Sequence, residues 1–248
     1  MLQVPCLPIS PVANDGELET MTLIVAIQTQ DSIIMAADGM AYVQEPSDTA
    51  NIPYEKIKIH RANSSWIIAF SGWAGIEVGH VGLEAEIERG TKSFDSDISI
   101  GGPPYIEALR ATYSTSPKTR VTLAGFSRGL PRILNVDFPG GSVYFADKIS
   151  ANGAQKTAAQ WILNMFSGCC TSILDFKELA LFTIWQVAHQ ELTVGQIERG
   201  YRLSVCVLKA GQPPKIEQLD TQLTLARMNR WLETIQRACS SFLSSTAL

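Results

Sequence analysis

From Thr22 the chain reads as two apolar runs, Leu23 to Ile27 and Ile33 to Ala37, parted by the polar stretch Gln28-Thr29-Gln30-Asp31-Ser32. Five-residue apolar runs around a polar turn predict a hairpin buried on both faces. Lys56 to His60 and Trp66 to Ser71, on either side of Ala62-Asn63-Ser64-Ser65, predict a second strand pair. Helical spacing of Ile76, Gly79, Leu83 and Ile87 predicts a helix over Trp73 to Glu88 that ends at Gly90. A further helix is expected over Pro103 to Tyr113, then a strand pair over Arg120 to Gly125 and Arg132 to Asp137. Ala154 to Phe166 and Leu174 to His189 read as helices, and Tyr201 to Lys209 as a strand alternating around Leu203, Val205 and Val207. A terminal helix is expected from Leu219 to Leu243. No repeat and no internal linker divides the chain, so the order predicts one layered domain with helices covering both faces of packed sheets.

Composition narrows the function classes. Of 248 residues, 46% are hydrophobic and 18% charged, enough apolar material for a sizeable core. The net charge of -4 is interspersed, with no basic block to track phosphates, which argues against nucleic acid as a partner. The longest helical apolar run, near Leu179 to Ala188, is about half a membrane span. Met1 to Glu19 has prolines at 5, 8 and 11 and no Lys or Arg, which predicts a flexible extension rather than a secretory signal. Five cysteines, Cys169 and Cys170 adjacent and Cys6, Cys206 and Cys239 scattered, form neither a disulfide framework nor a zinc pattern, so a reducing cytoplasm and no metal are expected. With only three histidines, chemistry built on several imidazoles has little material.

Two hydroxyls compete for the role of nucleophile. Gly125-Phe126-Ser127-Arg128-Gly129 matches the GxSxG elbow of α/β-hydrolases, which must lead from a strand into a helix. Here Arg132 to Asp137 follows as a strand, so the motif reads as a hairpin turn and Ser127 as a turn residue. Thr22 heads the first strand. A hydroxyl needs a base, and where histidine is scarce the residue's own α-amine, with a pKa near 8, serves if the threonine begins the chain. The alternative is a β-branched residue starting a strand. Asp38 closes the hairpin after five apolar residues and needs a cation or several donors. Lys56, first residue of the next strand pattern, is the candidate cation, against the alternative of a solvated strand end. Gly72, between a strand and a predicted helix, leaves its N–H open for a developing oxyanion; otherwise it is a tight turn.

In this order, Thr22-Leu23-Ile24-Val25-Ala26, Ala36-Ala37-Asp38-Gly39, Glu55-Lys56-Ile57 and Ala69-Phe70-Ser71-Gly72-Trp73-Ala74-Gly75 resemble the proteasome β subunits and the bacterial HslV peptidase. Val121 to Gly141 resembles the central hairpin of the same family. The resemblance implies an α+β, four-layer αββα sandwich of the N-terminal nucleophile hydrolase type, with residues 1–21 an extension or propeptide and 22–248 the folded domain. It also implies a cofactor-free threonine peptidase self-assembled into stacked rings, acting on unfolded protein or peptide, with an ATP-driven unfoldase as partner.

By the same matching Thr22 is nucleophile and base, Lys56 tunes it, Asp38 holds Lys56, and Gly72 supplies the oxyanion donor. Ala41, Tyr54, Lys58, Phe70 and Ala74 line a specificity pocket. The family's Gly-Ser-Gly turn falls on Ser150-Ala151-Asn152-Gly153, giving Ser150 as a supporting hydroxyl. Its late Asp-x-x-Ser falls on Gly195-Gln196-Ile197-Glu198, where Glu198 is the one acidic substitute. Met21 stands where self-processing members carry glycine. Thr22 is then exposed by translation from Met21 with removal of that methionine, or the extension stays and the subunit is a silent member of an assembly.

Overall fold

The computed structural model describes residues 22–44, 51–72, 94–112, 119–138, 140–191 and 194–245, with backbone alone at 42–44, 51–54, 72, 112, 138 and 234–245. The expected extension before Thr22 and the helix expected over 73–88 lie outside the described residues, as does Ala74.

The first hairpin forms as the apolar runs require: β1 (Leu23–Gln28) pairs antiparallel with β2 (Ser32–Ala37). Because strand side chains alternate, each strand divides its residues between two interiors. Leu23, Val25 and Ile27 enter one apolar cluster with Ile34 and Ala36, whereas Ile24, Ala26, Ile33, Met35 and Ala37 enter another. A strand buried on both sides needs a layer above and a layer below, and the remaining elements supply them.

β3 (Met40–Gln44) and β4 (Asn51–Glu55) form a separate hairpin. A second antiparallel sheet follows in chain order: β5 (Ile59–Arg61), β6 (Ile67–Gly72), β7 (Thr119–Ser127), β8 (Leu130–Phe138) and β9 (Val143–Ala146). The first sheet is completed by β10 (Ile149–Gly153), β11 (Ser204–Lys209) and β12 (Ile216–Gln218), in the order β10-β1-β2-β11-β12.

Ile67, Ala69, Ala124 and Ile133 from the second sheet meet Ile24, Ala26, Ile33 and Met35 from the first, so the two sheets pack face to face. The outer face of the second sheet, with Ile68, Phe70, Leu123 and Leu134, is covered by α1 (Ile98–Thr112) through Tyr105, Ile106 and Leu109. The outer face of the first sheet is covered by α2 (Lys156–Ser167) and α3 (Ile173–Ala188). Between α3 and β11, Ile197–Arg199 forms one 3-10 turn. Outside α3 lies α4 (Thr221–Ser245), whose Trp231 ring stacks on Phe182 at a centroid distance of 5.5 Å. Among the described residues the architecture is therefore helix, sheet, sheet, helix: an α+β, αββα sandwich.

Local chemistry explains several boundaries. The α3 start is a capping box, with Ser172 Oγ accepting from Asp175 N–H while Asp175 accepts from Ser172 N–H. β7 turns into β8 through Arg128 and Gly129, both with positive φ, the two-residue hairpin turn that matches strand twist. Ser127 ends a strand that continues as a strand, so the GxSxG match builds no elbow. α1 begins five residues before the expected Pro103, and that proline and Pro104 lie inside it. No helix among the described residues is long and apolar enough to cross a membrane.

Candidate active site

The pairing of the first sheet brings Thr22 and Asp38 together. Leu23 N–H donates to Asp38 Oδ1 at 2.8 Å, and Asp38 N–H to Leu23 C=O at 3.3 Å. Thr22 C=O accepts from Ala154 N–H at 2.8 Å, which extends the β1–β10 ladder by one rung. Gly153 makes that close approach possible: its φ is 107°, and a Cβ there would stand 1.7 Å from Thr22 O. Only glycine meets both demands.

The cation comes from the strand after the β3–β4 hairpin. Met40 pairs with Glu55, and Lys56 N–H donates to Gly39 C=O at 2.8 Å, so the returning chain runs beside Asp38. Two residues on, Lys58 is buried, with Nζ 2.5 Å from Thr22 Oγ1 and 3.1 Å from Asp38 Oδ2. Lys58, matched above to the specificity pocket, is thus the lysine on the threonine hydroxyl, and Lys56 is not. β5 starts at Ile59 rather than at Lys56, so the residue entering the strand from the Asp38 side is two positions later than the apolar pattern suggested. Lys56 is half-buried.

A fully buried carboxylate is costly unless its oxygens are taken up. Asp38 is 0% exposed and accepts from Leu23 N–H, Met40 N–H at 3.1 Å, Gly195 N–H at 3.0 Å and the Lys58 ammonium. Burial pushes the Lys58 ammonium below its ordinary pKa, the Asp38 carboxylate works against that fall, and the nearby charge of Lys56 adds to it. The threonine hydroxyl therefore faces a desolvated ammonium anchored on a satisfied carboxylate.

The other predicted site residues divide. Gly72 closes β6 opposite Thr119. It follows Ser71, whose Cβ would lie 3.2 Å from a Cβ on Gly153, so the end of β6 reaches the Thr22 end of the sandwich. Ser150 is buried but pairs with Ala26, three rungs from the Leu23–Gly153 pair, and accepts from Asn135 Nδ2 at 2.8 Å. It belongs to a network between the sheets and does not touch Thr22.

Glu198 is elsewhere: its Oε1 accepts from Trp185 Nε1 at 2.8 Å and lies 3.3 Å from His189 Nε2, at the end of α3. Gly195, at the start of the same stretch, is what reaches the site, through its N–H on Asp38. Phe70 faces the α1 side, 6.0 Å in ring centroid from His60, because alternation on β6 sends Ser71 and not Phe70 between the sheets. Ala41 is half-buried and pairs with Tyr54, whose side chain lies outside the described residues.

The sequence shows no sign of Lys58 as the cation on Thr22, since the matching puts it in the specificity pocket, nor of Gly153 and the Gly195 amide as site-builders. The first was hidden by the unrecognised β3–β4 hairpin. β10 was hidden because Ile149–Gly153 carries a single large apolar side chain, Ile149, and reads as a turn before α2. Among the described residues no group of His, Cys, Asp and Glu is placed to hold a metal ion.

No family model matches the sequence, and no curated protein matches it. In three dimensions the chain is similar to a mutant of Anbu from Hyphomicrobium sp. strain MC1, at 15% identity and a TM-score of 0.67 over 88% of this chain and 96% of that one. It is similar also to Anbu from the same organism in another structure, at 14% identity and a TM-score of 0.63 over 88% and 97%. At this identity the likeness establishes the fold, which is N-terminal nucleophile hydrolase-like.

Proposed function

We propose that the chain is a threonine peptidase of the proteasome type, in which Thr22 Oγ is the nucleophile once the Met21–Thr22 bond has been cut. The observation that carries this reading is the placement of Lys58 Nζ within 2.5 Å of Thr22 Oγ1 and 3.1 Å of Asp38. The freed α-amine takes the hydroxyl proton as Oγ attacks a peptide carbonyl carbon. The ammonium of Lys58 stabilises the charge developing on Oγ, and Asp38 holds that ammonium. The oxyanion is received by Gly72 N–H, a contribution worth about 3–4 kcal/mol for such a donor. The amine returns its proton to the leaving nitrogen, leaving an ester on Thr22. A water then gives a proton to the amine and attacks the ester, and Oγ leaves with that proton.

In this reading residues 1–21 are a removable extension and 22–248 the working domain, cytoplasmic and without cofactor. Copies self-assemble into stacked rings that admit unfolded protein or peptide, supplied by an ATP-driven unfoldase. The Anbu-like fold supports the assembly.

Intact-mass measurement of the protein made in its native cell, with labelling by an epoxyketone or boronate, tests it. The expected result is a chain beginning at Thr22, one adduct, and loss of the adduct in Thr22→Ala. A chain that keeps its extension and takes no adduct overturns the reading. The second reading, a silent subunit of a ring assembly, is favoured by Met21 before Thr22 and by the commitment of Ser150 and Glu198 elsewhere. It predicts a ring-sized particle with no peptidase activity.

A further inference from the structure

An amine that acts as a base must have its lone pair turned toward the hydroxyl it deprotonates, which requires acceptors for its own N–H groups. Neither residue matched to that task performs it. Ser150 Oγ is taken by Asn135, and Glu198 is taken by Trp185 and His189. Asp38 and Lys58 are engaged on the hydroxyl side of Thr22.

Ser71 has the properties those two lack. It is 0% exposed, and its Oγ has no hydrogen-bond partner among the described residues. Buried hydroxyls are almost always paired, so an orphan at the Thr22 end of the sandwich calls for an explanation, and a role in the site is one. Its position is fixed by register. Ile67 and Ala69 of β6 point between the sheets, so Ser71 does too, in one row with Arg120 of β7 and Asp137 of β8. Across the cleft its Cβ abuts Gly153, the residue whose other neighbour is Thr22 C=O. The charged members of the row are already joined, Arg120 Nε to Asp137 Oδ1 at 3.0 Å.

The geometry points to Ser71 as the positioning residue for the Thr22 amine: its Oγ accepts one N–H of the amine that cleavage after Met21 sets free. The inference rests on the peptidase reading above. A hydrogen bond donated more strongly by the ammonium than by the neutral amine raises the amine's pKa, so losing it moves the acidic limb of reactivity to lower pH while the misaligned base slows the step.

The test compares the assembled wild type beginning at Thr22 with Ser71→Ala in the same form, reading the rate of Thr22 labelling by an epoxyketone from pH 5 to 9 alongside thermal unfolding. The expected result is labelling slower by on the order of tenfold, an acidic limb at lower pH, and an unfolding temperature equal to or above that of the wild type. Ser71→Cys, which keeps the volume and weakens the acceptor, is expected to fall between the two. A wild type that labels while Ser71→Ala and Ser71→Cys match its rate and pH profile overturns this inference alone, leaving Ser71 an unpaired hydroxyl or a water's partner. A wild type that takes no label overturns the peptidase reading and this inference with it.

Discussion

Two buried polar clusters lie a few rungs apart in this sandwich, and they are built on opposite principles. The deeper one is neutral and closed. Asn152 Nδ2 donates to Thr122 Oγ1 at 2.6 Å and to Asn135 Oδ1 at 2.7 Å, Thr122 Oγ1 donates to Asn135 Oδ1 at 3.1 Å, and Asn135 Nδ2 donates to Ser150. It joins β10 of one sheet to β7 and β8 of the other and so fixes how the sheets sit on each other. The cluster at the end of the sandwich is charged and open: Asp38 is fully satisfied, but Lys58 points at a hydroxyl and Ser71 has no partner among the described residues. A satisfied network specifies structure, whereas a desolvated charge spent on a reactive oxygen is the arrangement that chemistry needs.

Removing a member of each cluster separates the two roles. Lys58→Ala leaves the Asp38 carboxylate buried without its cation, and the expected loss is about 3–5 kcal/mol in urea unfolding, with labelling of Thr22 abolished. Lys56→Ala, which removes only a nearby charge from Lys58, is expected to cost much less of both, and equal damage from the two variants would mean that the cation is wrongly assigned. Gly153→Ala strikes the charged cluster through its backbone, because a Cβ would overlap Thr22 O at a φ of 107°. The strained backbone alone costs about 1–3 kcal/mol, and Thr22 is displaced, so stability and labelling should fall together. Asn135→Ala removes the acceptor of the Thr122 hydroxyl, one of the two acceptors of the Asn152 amide and the donor to Ser150 Oγ, at about 1–3 kcal/mol for each group left unpaired. Its labelling rate should stay within about twofold of wild type once the folded fraction is matched. A large loss of labelling would mean that the deeper network also aligns the nucleophile.

The strong apolar periods made β1, β2, β6, β7, β8, α2, α3, β11 and α4 legible in the sequence, along with Thr22 and Asp38 at the ends of the first hairpin. What was hidden lacks an apolar signature. β3 and β4 carry Gln44, Asn51 and Pro53 in short runs, and without that hairpin the cation was placed at Lys56 instead of Lys58. β10 reads Ile-Ser-Ala-Asn-Gly, and its strand conformation is imposed by β1 and by the polar network rather than by propensity. Phe70 and Ser71 show the same limit from the other side. Both were visible as strand residues, but only the packing of two sheets decides which of two neighbours faces the site.

The smallest effect concerns pH, and its sign distinguishes the charged cluster from the neutral one. The unfolded chain carries Lys58 near its ordinary pKa of 10.5, and the folded chain carries it lower. Well below the folded value the lysine is protonated in both states and its burial penalty is fully present. Between the folded value and 10.5 the unfolded chain binds more protons, so the contribution of Lys58 to stability rises with pH, by less than about 1.4 kcal/mol for each pH unit of that window. Burial of Cys170, pushed up to about 11, and of Cys206, pushed up to about 12, acts the other way above 9.0, because those folded thiols keep protons that the unfolded chain loses. Urea midpoints of wild type and Lys58→Met measured from pH 7 to 10 cancel the cysteines, and the wild type should gain on the variant as pH rises. Over the same range Thr22 labelling should decline, since the ammonium that faces its oxygen is being neutralised. A difference that stays flat, or that shrinks with rising pH, would show that Asp38 outweighs burial and that Lys58 stays charged throughout, as a lysine with no catalytic tuning would.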